Sequence, residues 1–183
     1  GAPGLARLIP ADNSGTGDHP LILVVFHPET KYLDDIPRQA QELRAALESF
    51  GDNAAIIAAT PGMDAGRPHI VDALAPWEPD SYTDEEWLHC MSVADVLVGN
   101  SSCGIIETPS IPLPSVNIGD RQKGRLMASS VIQAPHDRHA IRAAIELALN
   151  PEWRRLNLTG VNPYGDRGAA KRIAEFLLTC ALS

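Results

Sequence analysis

Short, unbroken apolar runs alternate along this chain with segments of helical period, and that alternation leaves few folds open. "LILVVF" (residues 21–26) is bounded by "DHP" and "HPE", the pattern of a strand buried on both faces. "DDIPRQAQELRAALESFG" then spaces Ile36, Leu43, Leu47 and Phe50 at near-helical intervals and stops at Gly51, a C-terminal cap. "AAIIAAT" (residues 54–60) reads as a second buried strand, closed by Pro61 and Gly62. Strand, helix, strand in that order calls for a right-handed parallel crossover.

Further along, "HIVDAL" suits strand or helix, and Pro76 and Pro79 end it either way. "TDEEWLHCMSVA" opens with Thr83 and has Glu86 three residues later, a capping box that predicts a helix over 84–94. "DVLVG" is a third strand, "GIIETPS" a short helix, "SVNI" a fourth strand and "SVIQA" a fifth. "HDRHAIRAAIELALN", started by Asp137 and stopped by Asn150-Pro151, and "GAAKRIAEFLLTCAL" finish as amphipathic helices. The expected class is α/β: a Rossmann-like, doubly wound, mostly parallel sheet with helices on both faces.

At 183 residues and 44% hydrophobic, the chain can bury a proper core as one domain over 1–183. The 5% aromatic share suits a layered α/β core better than an all-β one. No apolar run approaches ~20 residues, so no membrane span is expected. Neither a leader pattern nor a CxxC pair occurs, and Cys90, Cys103 and Cys180 are scattered, which makes a reducing cytoplasm the expectation. A net charge of -8 argues against general nucleic-acid binding, so any anionic ligand needs a local device to hold it. The chain opens on Gly1 and not Met, and reads as a piece of a longer protein.

In doubly wound folds ligands bind beyond the carboxyl ends of the strands. Three such turns carry chemistry. In "FHPET", His27 follows the first strand; its imidazole can donate to a phosphate or sugar oxygen or act as an acid, or it can merely cap the strand end. In "VGNSSCGIIE", small hydroxyl residues and Gly104 sit where a helix begins, which suits a phosphate or diphosphate. Glu107 follows about one turn after Cys103, close enough to grip vicinal ribose hydroxyls; the bland alternative is that Asn100, Ser101 and Ser102 form an N-cap cluster. In "NIGDRQKGR", Arg121 offers a planar fork to phosphate oxygens, while Lys123 and Arg125 read equally as a solvated face. No Walker loop or GxGxxG follows the first strand, and no histidine pair has metal-ligand spacing with a convincing partner; His136 and His139 fall in a surface helix start. Cys103 reads as a small packing residue, since no base is placed beside it in sequence.

Taken together, "FHPET", "PGMDAG", "ADVLVGNSSCGIIETPSIPLPSVNIGDRQKGR" and "NPYGDRGAAKRIAEFL" resemble, in order, the carboxyl-terminal half of UDP-N-acetylglucosamine 2-epimerases. "GNSSCGIIE" followed by "GDRQKGR" is most similar to the hydrolysing branch, and "GAPGL" to the family's interdomain link. The resemblance implies a GT-B arrangement, two Rossmann-like domains with the nucleotide-sugar between them, of which this chain is the second. It implies Ser101, Ser102 and the backbone near Gly104 on the diphosphate, Glu107 on the ribose and Arg121 near the phosphates. His27, the candidate catalytic residue, would face the diphosphate or sugar. Trp87 occupies a slot that is usually aromatic and lies against the uracil or within the core of its helix. The stretch between "DAG" and "EEWL" is shorter than the family pattern, with Pro68, Pro76 and Pro79 where a helix and then a strand usually run. The implied partners are UDP or UDP-N-acetylglucosamine and an amino-terminal Rossmann-like domain; a homo-oligomer is compatible with the sequence. The implied elimination route needs no metal or nicotinamide cofactor. A GT-B glycosyltransferase, a stand-alone nucleotide-sugar-binding module and the non-hydrolysing branch are the alternatives.

Overall fold

Five strands, β1 (Leu21–Val25), β2 (Ala55–Ala58), β3 (Val96–Gly99), β4 (Ser115–Ile118) and β5 (Val131–Ala134), form one sheet in the computed structural model, which describes residues 19–166 and 168–181. The "GAPGL" stretch lies outside the described residues. The spatial order is β2-β1-β3-β4-β5, all neighbours parallel. From β1 the chain moves to one side for β2 and then returns past β1 for β3, so the winding reverses between β1 and β3. A crevice opens outside the carboxyl ends of the strands at such a reversal.

Alternation along β1 divides the core. Ile22, Val24 and Phe26 pack with α1 (Ile36–Glu48), α2 (Arg67–Leu74) and α5 (Arg138–Leu149) through Ile36, Leu43, Leu47, Ile70, Leu74, Ile141 and Ile145. Leu23 and Val25 face the other way, against α3 (Asp84–Val93) and α4 (Cys103–Ile106) through Met91 and Cys103. Each fully buried Leu or Ile contributes about 1.5–3 kcal/mol, which is what holds these short helices to the sheet. Arg138 adds a two-pronged ion pair from α5 to Glu42 on α1, at 2.8 and 3.0 Å, and its own N–H reaches the same carboxylate at 2.8 Å. Those contacts hold the Glu42 carboxyl down at about 2.

Both expected caps form. Thr83 and Glu86 complete the capping box of α3, and the Asp137 side chain accepts from His139 and Ala140 N–H at the start of α5. Residues 67–74 are helix and not strand: Pro68 sits in the first turn, where its missing N–H costs nothing, and Ile70, Ala73 and Leu74 bury against α1. After it, the strand of the family pattern shrinks to a one-residue parallel bridge, Ala59 with Asp80. That shortening agrees with the sequence, but the expectation that the second strand is buried along its length is corrected. β2 is an edge strand with Ala55 exposed and Ile56 and Ile57 half-buried, because so little pairs along its outer side. The sequence also hides α6 (Pro151–Asn157): Asn150 ends α5 and at once caps α6, its Oδ1 accepting from Trp153 N–H at 3.0 Å. Finally α7 (Ala169–Ala181) stands away from the sheet, with Ile173, Phe176 and Leu177 exposed.

Candidate functional site

Asn100, just past β3, organises the crevice. Its side chain is completely buried and spans to the end of β1 in both directions. Oδ1 accepts from His27 N–H at 2.7 Å and Nδ2 donates to the His27 carbonyl at 2.8 Å. The Asn100 carbonyl in turn accepts from Arg121 Nη1 at 3.2 Å and Gln122 Nε2 at 2.7 Å. One residue therefore joins two strand ends to the loop after β4. This replaces the capping alternative for Asn100: Ser102 holds the N-cap position of α4 and makes no side-chain cap bond.

At the end of β1, Gly62 N–H donates to His27 Nδ1 at 3.1 Å. An accepting Nδ1 assigns the neutral tautomer with its proton on Nε2. Burial pushes the His27 pKa below 6.5, the Arg121 guanidinium pushes it further down, and Asp64 opposes them. The expected result is a ring titration by NMR with its midpoint below 6.5; a midpoint at or above that value would show that burial and Arg121 do not outweigh Asp64 at this ring. The sign for stability follows by linkage. Below about 6.5 the unfolded chain takes up this proton and the folded one resists, so His27 lowers stability as pH falls through that range.

Two hollows open among these loops, and His27 is among the lining residues of neither. The first, about 350 Å³, is lined by Trp87, Ser101 and Glu107 together with Thr60, Asp80, Tyr82 and Asp84. Tyr82 and Trp87 lie with ring centroids 6.2 Å apart, tilted by 42°, so Trp87 faces the hollow while its other side packs on the core. The core reading of Trp87 holds in that packing. The second hollow, about 360 Å³, is lined by Pro28, Glu29, Lys31, Tyr32, Arg121 and Lys123. Ser102 and Gly104 are not among the lining residues of either. Gly104 is buried against Leu97 and Ser115, and its carbonyl accepts from the Thr108 and Ser115 hydroxyls at 2.9 and 2.6 Å. Burial pushes the Cys103 thiol up to about 12, consistent with a packing role and not a thiolate.

Sequence reasoning missed Glu29 and His136. Glu29 is 5% exposed, and its Oε1 accepts from Asp120 N–H at 3.1 Å and Arg121 N–H at 3.3 Å. His136, expected on a surface helix start, instead turns inward with Nε2 3.1 Å from the same oxygen and its ring edge-on to Phe26. A signal for it existed: like His27, it follows the end of a strand. Glu29 had none, because an acidic residue beside a proline turn reads as solvated. Lys123 and Arg125 are exposed, Lys123 paired to Asp120 at 3.2 Å. Among the described residues no group of three or more His, Cys, Asp or Glu side chains gathers as a metal site, and no helix is long and apolar enough to cross a membrane.

A doubly wound sheet with a polar crevice at its switch point defines a Rossmann-like ligand-binding domain. The profile of the UDP-N-acetylglucosamine 2-epimerase family matches residues 6–178. The chain belongs to that family. It is 30% identical to the UDP-N,N'-diacetylbacillosamine 2-epimerase (hydrolyzing) of Legionella pneumophila, over 100% of this chain and 51% of that protein. It is 32% identical to the polysialic acid biosynthesis protein P7 of Escherichia coli, over 78% of this chain and 38% of that one. The fold is similar to that of the UDP-GlcNAc 2-epimerase from Neisseria meningitidis solved with UDP-GlcNAc, at a TM-score of 0.69 and 20% identity, over 88% of this chain and 45% of that chain. The chain thus spans about half the length, or less, of the relatives it matches.

Proposed function

We propose that this chain is the UDP-binding, carboxyl-terminal half of a two-domain epimerase of the hydrolysing branch, which turns UDP-N-acetylglucosamine and water into N-acetylmannosamine and UDP. The observation that carries this is the gathering of Trp87, Ser101 and Glu107 around one hollow, while Arg121 lines the other and both Arg121 and His27 are tied to Asn100, the residue next to Ser101. Uracil lies along Trp87, the ribose hydroxyls meet Glu107, and the diphosphate meets Ser101, Ser102, the α4 backbone by Gly104 and Arg121. Neutral His27, with its proton on Nε2, donates to the diphosphate or the sugar.

In the reaction a base on the amino-terminal half takes the sugar C2 proton, the C1–O bond breaks to release UDP and leave a glycal, and water adds at C1 as C2 is reprotonated from the other face. This chain's residues serve the leaving group: prearranged donors stabilise charge growing on the β-phosphate. The exposed Ile173, Phe176 and Leu177, one stripe of α7, support a face that packs on that amino-terminal half. The buried thiols Cys90 and Cys103 suit a reducing cytoplasm.

Two measurements test the reading. The two-domain protein incubated with UDP-N-acetylglucosamine is followed by NMR, with UDP-N,N'-diacetylbacillosamine in parallel because the Legionella relative is named for it. Free N-acetylmannosamine plus UDP is expected; UDP-N-acetylmannosamine would assign the non-hydrolysing branch, and a strict need for an acceptor sugar a glycosyltransferase. In the same protein Arg121→Ala lowers turnover at least tenfold, since one prearranged donor is worth ~3 kcal/mol in the transition state. An unchanged rate would remove Arg121 from the leaving-group site.

A further inference from the structure

We propose that Glu29 is a positioning residue: it aims Arg121 at the bound phosphate by gripping the backbone of the loop that carries it. The inference rests on the reading of Arg121 given above. β4 and β5 are parallel neighbours, yet no helix joins them; residues 119–130 cross as a loop, and Arg121 rides on that loop with an exposed side chain. A cation on an unsupported loop must be ordered when its ligand binds, and that ordering weakens binding.

The structure supplies the support from β1. Glu29 reaches across the sheet ends, and its Oε1 takes the N–H groups of Asp120 and Arg121 and the Nε2 of His136. Hydrogen bonds to a carboxylate are the strong kind. Gly119 makes the approach feasible: its φ is +71, and a Cβ there would overlap both the Glu29 oxygen and the His136 ring. The far end of Arg121 is held separately, by the Asn100 carbonyl. A buried carboxylate beside an anion site would otherwise oppose the ligand; spent on two loop N–H groups, it orients the cation instead.

The test is a double-mutant cycle on UDP binding to the two-domain protein, read by NMR titration, with far-UV circular dichroism as the check on folding. Glu29→Ala is expected to weaken UDP binding about tenfold, the size of one charge-assisted contact. In an Arg121→Ala background the same change is expected to do nothing further, because its effect passes through Arg121. If Glu29→Ala does not fold, Glu29→Gln, which keeps the volume and one acceptor oxygen, runs through the same cycle with a smaller first step. Equal losses in both backgrounds would mean a merely structural carboxylate and overturn the proposal. So would a Glu29 variant that binds UDP normally while Arg121→Ala weakens it, an outcome that leaves the proposed function standing. Unchanged binding in Arg121→Ala, or no binding by the unaltered two-domain protein, would overturn both together.

Discussion

Gly99→Ala destabilises the chain by about 4 kcal/mol, a large share of the 5–15 kcal/mol that a domain has in all. Gly99 ends β3 with φ +145, a backbone region that a side chain rarely adopts, and a Cβ there would overlap the Val25 carbonyl of β1. The obstacle is backbone of a central strand, so no side chain can swing aside to relieve it. The damage also spreads. Val25 pairs with Gly99 in register, and the Val25 carbonyl accepts from Asn100 N–H at 3.2 Å, so parting the strands here loosens Asn100 from His27. Urea unfolding followed by circular dichroism measures it: the midpoint falls sharply at an unchanged slope. A loss under about 1 kcal/mol would mean that β1 and β3 do not approach this closely.

Asn100→Asp should cost about 3 kcal/mol at neutral pH, though it changes one atom. Oδ1 can still accept from His27 N–H, but the donor that met the His27 carbonyl at 2.8 Å becomes a second acceptor. Two lone-pair oxygens then face each other in a site with no exposure, and the His27 carbonyl loses its partner. The pH dependence separates this cause from simple misfit. As pH falls and the new carboxyl gains a proton it becomes a donor again, so the gap between variant and parent narrows in acid. A gap that is constant from pH 7 down to the acid limit of the fold, or absent throughout, would contradict the assigned Asn100 bridge.

Much of this architecture is legible in residue order because its causes are local. "LILVVF" reads as a central strand, since a short apolar run bounded by prolines suits a strand covered on both faces. The capping box at Thr83 and Glu86 and the cap at Asp137 are set by side chains reaching their own backbone. "HIVDAL" stays open in sequence because strand and helix would both bury some of it; packing of Ile70, Ala73 and Leu74 on α1 closes the question. Of the candidate site, the turns after the strands are legible, and with them the positions of His27, Ser101, Glu107 and Arg121 at one edge, because a doubly wound sheet sends every such turn there.

The partners within that edge are not legible. Asn100 lies 73 residues from His27, Glu29 92 residues from Arg121 and 107 from His136. No local pattern encodes those pairings. They exist only because β1 sits between β2 and β3 and because the β4–β5 loop folds back over the strand ends. The sequence by itself determined most of the elements, the parallel sense of the strands and the edge where chemistry gathers, since hydrophobic period and capping act within a few residues. Tertiary structure alone decided which side chains hold one another there, since hydrogen bonds depend on ångströms of separation that only the assembled sheet defines.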